Sequence, residues 1–240
     1  MFYGWRIVGG TFIAQMFVIG FFTYAVSLLV APVKAEFGAS LEQVMYGLTA
    51  GTFIGLVLMP VAGVLVDRFS VRWLMAAGSL LYALGLLGLS RSTSIGQYIA
   101  LFGLTMAIAN AFAGALCSSA VISRWFTASR GRALGIAAIG TSVGGVLVPA
   151  LLSGWLADHG WRTALENFGL LILATMLPVL VLTVRGKPAD VGLEPEPDGS
   201  GQHDAAQDDP QLDIKDIATD SRFWLIGLSL GILFSGYTSI

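Results

Sequence analysis

Gly63-Val64-Leu65-Val66-Asp67-Arg68-Phe69-Ser70-Val71-Arg72 joins two long uncharged runs, Val44–Val66 and Trp73–Leu89. A helix of about 20 apolar residues crosses the roughly 30 Å hydrocarbon core of a bilayer. No water is available there, so each backbone N–H and C=O must be satisfied within the segment, and a helix does this. A strand reading fails, because the runs are too long and show no alternation. The ten residues therefore turn the chain at a membrane surface, with Asp67 beside Arg68 and Arg72.

Four more runs of this kind flank the pair: Val8–Val30, Tyr98–Ile122, Ala133–Ala157 and Leu165–Val184. None carries Lys, Arg, Asp or Glu away from its ends, and a seventh run starts at Phe223 and continues to Ile240. Composition agrees. Of 240 residues 55% are hydrophobic, 12% are charged and 30 are glycine. The mean hydropathy is +0.78. A soluble domain carries about 25% charged residues. A soluble enzyme is excluded, as are a nucleic-acid binder (net charge −2) and a disulfide scaffold (one Cys). The first run exceeds the h-region of a signal peptide and only Arg6 precedes it, so it reads as an uncleaved anchor.

Basic residues set the orientation. With the N-terminus inside, Arg6, Arg68, Arg72, Arg124, Arg130, Arg132, Arg185, Lys187, Lys215 and Arg222 share one side; only Lys34, Arg91 and Arg162 lie on the other. The positive-inside rule then places the N-terminus in the cytoplasm, and a bacterial inner membrane is expected. All six tryptophans fall near proposed span ends, where amphipathic rings prefer the interface.

Residues 185–222 differ abruptly: four prolines sit among ten acidic residues. Such a stretch reads as a cytoplasmic linker. Leu212, Ile214, Ile217 and Ala218 approximate one helical face, so a short amphipathic helix on the membrane surface is the alternative to a plain tether. The expected organisation is a six-helix bundle over 1–184, a loop over 185–222 and the start of a further bundle over 223–240.

Gly63-x-x-x-Asp67-x-x-x-x-Arg72 has an echo in Gly154-x-x-x-Asp158-x-x-x-Arg162, and each follows a proline in its own span, Pro60 or Pro149. The first pattern lies at the inner face and the second at the outer. Three spans followed by a related, oppositely oriented three form an inverted-topology repeat, a construction used by transporters. In the turn itself, Asp67 could cap a helix or pair with an arginine in one conformation only. The arginines could equally be plain interfacial anchors.

The segment Gly63–Arg72 resembles the signature loop between the second and third spans of the major facilitator superfamily, with Ser70 where that pattern often has Gly. Tyr3-Gly4-Trp5-Arg6, Arg124-Trp125-Phe126, Arg130–Gly135, Asp158–Arg162 and Pro188-Ala-Asp190-Val-Gly192-Leu193 resemble bacterial relatives of the monocarboxylate and oxalate/formate carriers. The resemblance implies an all-α membrane fold with twelve spans in two halves and substrate held between them. This sequence would supply the N-terminal half and the start of the seventh span. It implies transport of a small organic anion, with a co-transported proton or counter-anion, and no cofactor. Gly63, Asp67, Arg68, Arg72, Asp158 and Arg162 would govern the change of state. Any substrate-binding cation would come from the second half.

Within the spans, the polar or small stripe Gly103, Ala107, Asn110, Gly114, Cys117 and Val121 recurs at helical spacing. Asn110 could bond a substrate carboxylate or merely a neighbouring helix. Gln15, Tyr24, Asn110, Ser118 and Thr141 are the expected pathway residues, with Thr23 and Ser27 beside them. Gly140, Thr141, Ser142, Gly144, Gly145 and Pro149 read as a close-packing segment. Catalysis has no support: His159 and His203 fall in loops, Cys117 reads as a small apolar residue, and no metal-ligand cluster or phosphate loop occurs. The alternative to a carrier is a truncated or split half that does not transport alone, a reading favoured by the stop within an apolar run.

Overall fold

The structure, a computed structural model, describes residues 2–194, 196, 225 and 229. The chain divides into two units, Met1–Pro197 and Asp198–Ile240. In the second, the Ser229 hydroxyl donates to the Leu225 carbonyl at 2.6 Å. The rest of the seventh run, the Leu212–Ala218 stretch and His203 lie outside the described residues.

Five continuous helices are long and apolar enough to cross a membrane: α1 (Gly4–Phe37), α2 (Leu41–Arg68), α3 (Val71–Ser90), α4 (Ile95–Trp125) and a fifth, Arg130–Thr183, of 54 residues. A straight helix of that length would reach about 80 Å, more than twice the hydrocarbon thickness. It reverses at Gly160, whose φ of 79° and ψ of 170° lie where a Cβ would clash. Residues 130–159 form α5 and residues 161–183 form α6. Gly140 and Gly144 meet the Phe12 and Met16 carbonyls of α1, so α5 runs alongside α1. Trp161 meets Phe37 and Thr183 meets Gly10, so α6 runs back. The six expected spans are present.

Local chemistry fixes the turns. Gly38, at φ 60°, ends α1 in the left-handed conformation that favours glycine. Ser40 and Gln43 then open α2 with a capping box, Gln43 N–H to Ser40 Oγ at 3.2 Å and Ser40 N–H to Gln43 Oε1 at 2.9 Å. Ser94 Oγ accepts from the Gln97 N–H to start α4.

The most extensive contacts are α2 on α4 and α5 on α1. The second helix of each triplet therefore packs on the first helix of the other. Both contacts are made by glycine. A Cβ on Gly140 or Gly144 would run into α1 backbone, and one on Gly51 or Gly103 would close the α2–α4 seam. Small residues allow the backbone approach that drives association where no hydrophobic effect operates. On the other side α3 and α6 enclose an aromatic core: Phe21 stacks on Phe168 at 5.2 Å, Phe22 lies 5.4 Å from Tyr82, and the Tyr82 hydroxyl donates to the Phe17 carbonyl at 3.3 Å.

Three helices widen at mid-span into single π turns, Gly20–Ala25 in α1, Ala109–Ala113 in α4 and Ile172–Met176 in α6. Helix α4 then leaves helical geometry at Gly114 (φ −88°, ψ −154°). Side chains bond the main chain there: Cys117 Sγ donates to Ala111 O at 3.4 Å, and Gly114 O, which accepts the Ser118 N–H at 3.3 Å, also takes the Ser118 hydroxyl at 2.9 Å. This is how an interrupted helix is tolerated in hydrocarbon.

Gly144→Val should therefore cost about 1–3 kcal/mol by forcing α1 and α5 apart. Gly9→Ala, whose Cβ would meet nothing, should stay within about 0.5 kcal/mol of the parent. Thermal melting of the two variants in detergent checks this.

Candidate transport site and its end clamps

A cavity of about 470 Å³ opens between α2 and α4. Gly51 and Gly55 of α2 leave the room for it. Thr52, Leu56, Met59 and Pro60 line it from α2, Met106, Ala107 and Asn110 from α4. None of these residues is ionisable. Asn110 stands on the π turn of α4, and its Nδ2 donates to the Met106 carbonyl at 2.9 Å. An amide carries two N–H donors and a carbonyl acceptor, so one donor and the oxygen have no partner among the described residues. The cavity thus offers an apolar, polarisable body with two thioethers and a few neutral polar groups.

Of the expected pathway residues, Asn110 alone lines this cavity. Ser118 is fully enclosed and its hydroxyl serves the α4 break. Gln15 is buried inside α1's packing face. Tyr24 is exposed, and its ring lies against Gly145. Thr141, one turn before Gly145, donates to Ala138 O at 2.8 Å. Tyr24 and Thr141 therefore belong to the α1–α5 surface, apart from the α2–α4 cavity. Thr52, Met59 and Met106 were missed by sequence reasoning; the Gly51/Gly55 pair was the available signal, since glycines one turn apart open space on one helical side.

The two ends of the bundle are held differently. At the end carrying Trp5 and Trp125, an Arg124 guanidinium N–H donates to the Val66 carbonyl at 2.8 Å and lies 3.6 Å from Asp67 Oδ1. The Asp67 side chain is 83% exposed. Arg72 spreads over Trp73, 5.0 Å from the ring centre, and its Nε is shielded with no hydrogen-bond partner among the described residues. Arg68 is exposed, and no atom lies within contact of a Cβ placed on Gly63.

At the opposite end Arg162 donates from Nη2 to Glu36 Oε1 at 2.6 Å and to Ser92 O at 2.6 Å, and also bonds Ser90 O. Trp161 Nε1 donates to Glu36 Oε2 at 2.5 Å, and the guanidinium lies 4.5 Å from the Trp161 ring centre. Asp158 is exposed; the carboxylate that Arg162 engages is Glu36 of α1. In each triplet, then, the turn between its second and third helices is gripped by the last turn of the first helix of the other triplet. Asp67 meets Arg124 at one end, Arg162 meets Glu36 at the other, with the charges exchanged. Neither Arg124 nor Glu36 could be paired from sequence, because the contacts span 58 and 126 positions.

These features define a membrane-embedded helical bundle made of two inverted triplets, a transporter-type half-fold. The family model of the Major Facilitator Superfamily matches residues 11–240, and the chain belongs to that superfamily. It is 35% identical over 138 residues to the Fujikurins efflux protein of Gibberella fujikuroi, covering 56% of this chain and 28% of that one. It is 30% identical over 176 residues to the MFS-type transporter pynF of Aspergillus niger, covering 73% and 37%. The matched stretches thus span about a third of the length of these relatives. Among solved structures, a bacterial homolog of the human lysosomal transporter Spinster, inward-facing and unoccupied, shares the fold. The TM-score is 0.65 at 19% identity, over 82% of this chain and 46% of that one. Like the family, the chain is an integral membrane protein and not an enzyme.

Removing the Arg162 grip by Arg162→Ala should destabilise the bundle by about 1–3 kcal/mol, since buried carbonyl partners lose a charged donor. Asp67→Asn should change stability by less than about 0.5 kcal/mol, as befits an exposed, long pair. Side-by-side melting curves of the two variants test the asymmetry.

Proposed function

We propose that this bundle is one half of a secondary active transporter that moves small organic anions by alternating access, with the N-terminus in the cytoplasm. The observation that carries the reading is the glycine-opened cavity between α2 and α4, backed by an interrupted helix with Asn110 at the break. The apolar body of an organic acid would lie along Met59, Met106 and Leu56, and Asn110 and Thr52 would bond its polar end. A net charge of −1 on the substrate would be met by residues of a second bundle, because this cavity's lining carries none. Tyr24, Gln15 and Thr141 would border the path on the α1–α5 side. Gly63, Asp67, Arg68 and Arg72 would shift the balance between states at the cytoplasmic end, where the grip is loose. Arg162 would hold the outer end fixed, with Asp158 exposed beside it.

A second reading, export of larger lipophilic metabolites, is favoured by the neutral, thioether-containing lining and by the likeness to the Fujikurins efflux protein of Gibberella fujikuroi. Proteoliposomes containing the chain joined to a relative's second bundle discriminate the two. Uptake of labelled pyruvate, lactate or benzoate is expected, with Asn110→Ala raising KM about fivefold, as loss of one hydrogen bond implies. Asp67→Asn should alter Vmax and leave KM within about twofold. Competition by neutral lipophilic probes without any acid uptake would favour export and overturn the anion reading.

A further inference from the structure

The stretch after α6 was expected to be free linker, yet its first part is folded. Pro188–Val191 forms a short 3-10 turn. Gly192, at φ 67°, takes the left-handed conformation that redirects the chain. The Leu193 N–H then closes back on Pro188 O at 3.1 Å. This accounts for the Pro188-x-x-x-Gly192-Leu193 pattern, which no transport role has absorbed.

The segment ends on the turn between α4 and α5. The Glu196 N–H donates to Trp125 O at 3.1 Å, and Thr127 Oγ1 donates to Glu196 O at 3.2 Å. The Glu196 carboxylate accepts from the Ser129 N–H at 2.8 Å and from the Ser129 hydroxyl at 2.6 Å. Ser129 stands at the N-cap of α5 but makes no cap of its own. Glu196 supplies one instead, 67 positions away, with its negative charge at the positive end of the helix dipole. Hydrogen bonds from Ser129 hold the Glu196 carboxyl below the ordinary carboxylate range, so it is ionised at neutral pH.

Gly186 and Pro188 are buried, whereas Ala189 and residues 191–194 stay on the surface. Val191 and Leu193 are 38% and 43% exposed, and a cavity of about 490 Å³ lies between the strap and Arg124. Segments with few buried apolar contacts open well below the global unfolding energy. Arg185, by contrast, is tied to the bundle: Trp125 Nε1 donates to its carbonyl at 3.0 Å, and Val184 and Trp125 are fully buried.

We propose that residues 189–194 are a detachable strap with Glu196 as its latch, docking the start of the central loop on the N-terminus of α5. Release of the latch frees residues 189–194, roughly 20 Å of extended reach at about 3.3 Å per residue.

Hydrogen exchange on the full chain in nanodiscs tests this with the parent, Glu196→Gln and Glu196→Ala. In the parent, amides of 188–194 should be protected, but less than those of 140–152 in α5. Glu196→Ala should raise exchange about tenfold, both in 188–194 and at 129–133, the loss of a charged hydrogen bond. The 140–152 amides should not change. Glu196→Gln, which keeps one acceptor, should fall between. Protection of 188–194 equal to that of α5 would make the strap a fixed part of the bundle. Full exchange in the parent would mean no docking, and an unchanged 129–133 in Glu196→Ala would remove the latch. Any of the three overturns the proposal.

Discussion

The hydrocarbon core accepts no unpaired backbone amide or carbonyl, and the bundle is organised around that constraint. It requires helices, and it requires an internal partner wherever a helix deviates. Helix α4 shows the consequence most directly. At its π turn, Ala109–Ala113, and at the break at Gly114, side chains add bonds to the main chain: Asn110 to Met106 O, Cys117 to Ala111 O and Ser118 to Gly114 O. The same deviation turns Asn110 into the α2–α4 cavity. A side chain that looks like a pathway residue and one that looks like packing are therefore parts of one device. Ser118 bonds the main chain at the break, and Asn110 both bonds the main chain and faces the opening.

The second organising feature is exchange between the triplets. Each triplet sends its second helix onto the first helix of the other, through glycine seams that only bare backbone can form. The end clamps follow the same crossing. Arg124 of α4 reaches the α2–α3 turn, and Glu36 of α1 receives the side chains of the α5–α6 turn. The two grips are unequal in strength. Arg162 ties a carboxylate and two main-chain carbonyls with an indole N–H in support, whereas Asp67 stands largely in solvent at the end of a long pair.

Much of this was legible in the chain because composition and charge report directly on the bilayer. The six spans, the turn at Gly63–Arg72 and the inverted repeat followed from uncharged runs and motif spacing, and the superfamily from the resemblance of Gly63–Arg72 to its signature loop. The glycines of the fifth span read correctly as packing. What escaped was anything depending on which side of an apolar helix faces inward. In lipid both sides are apolar, so periodicity does not separate lining from packing, and Thr52, Met59 and Met106 gave no signal. Long-range pairs escaped for a related reason: Arg162 is held by Glu36, which stands 126 positions away in another helix. The folded turn at 188–194 was hidden by its composition, which is that of a linker, although Gly192 marks a fixed turn.

The central claim is that the α2–α4 face borders an aqueous pathway and is not a lipid-facing or sealed surface. Single cysteines at Thr52, Met59 and Asn110, placed in a Cys117→Ala background in native membranes, test it when probed with a charged, membrane-impermeant thiol reagent. Labelling at all three, with none at Leu81 or Leu84 on the exposed side of α3, is the expected result. Equal absence of labelling at the cavity and α3 positions would contradict the account.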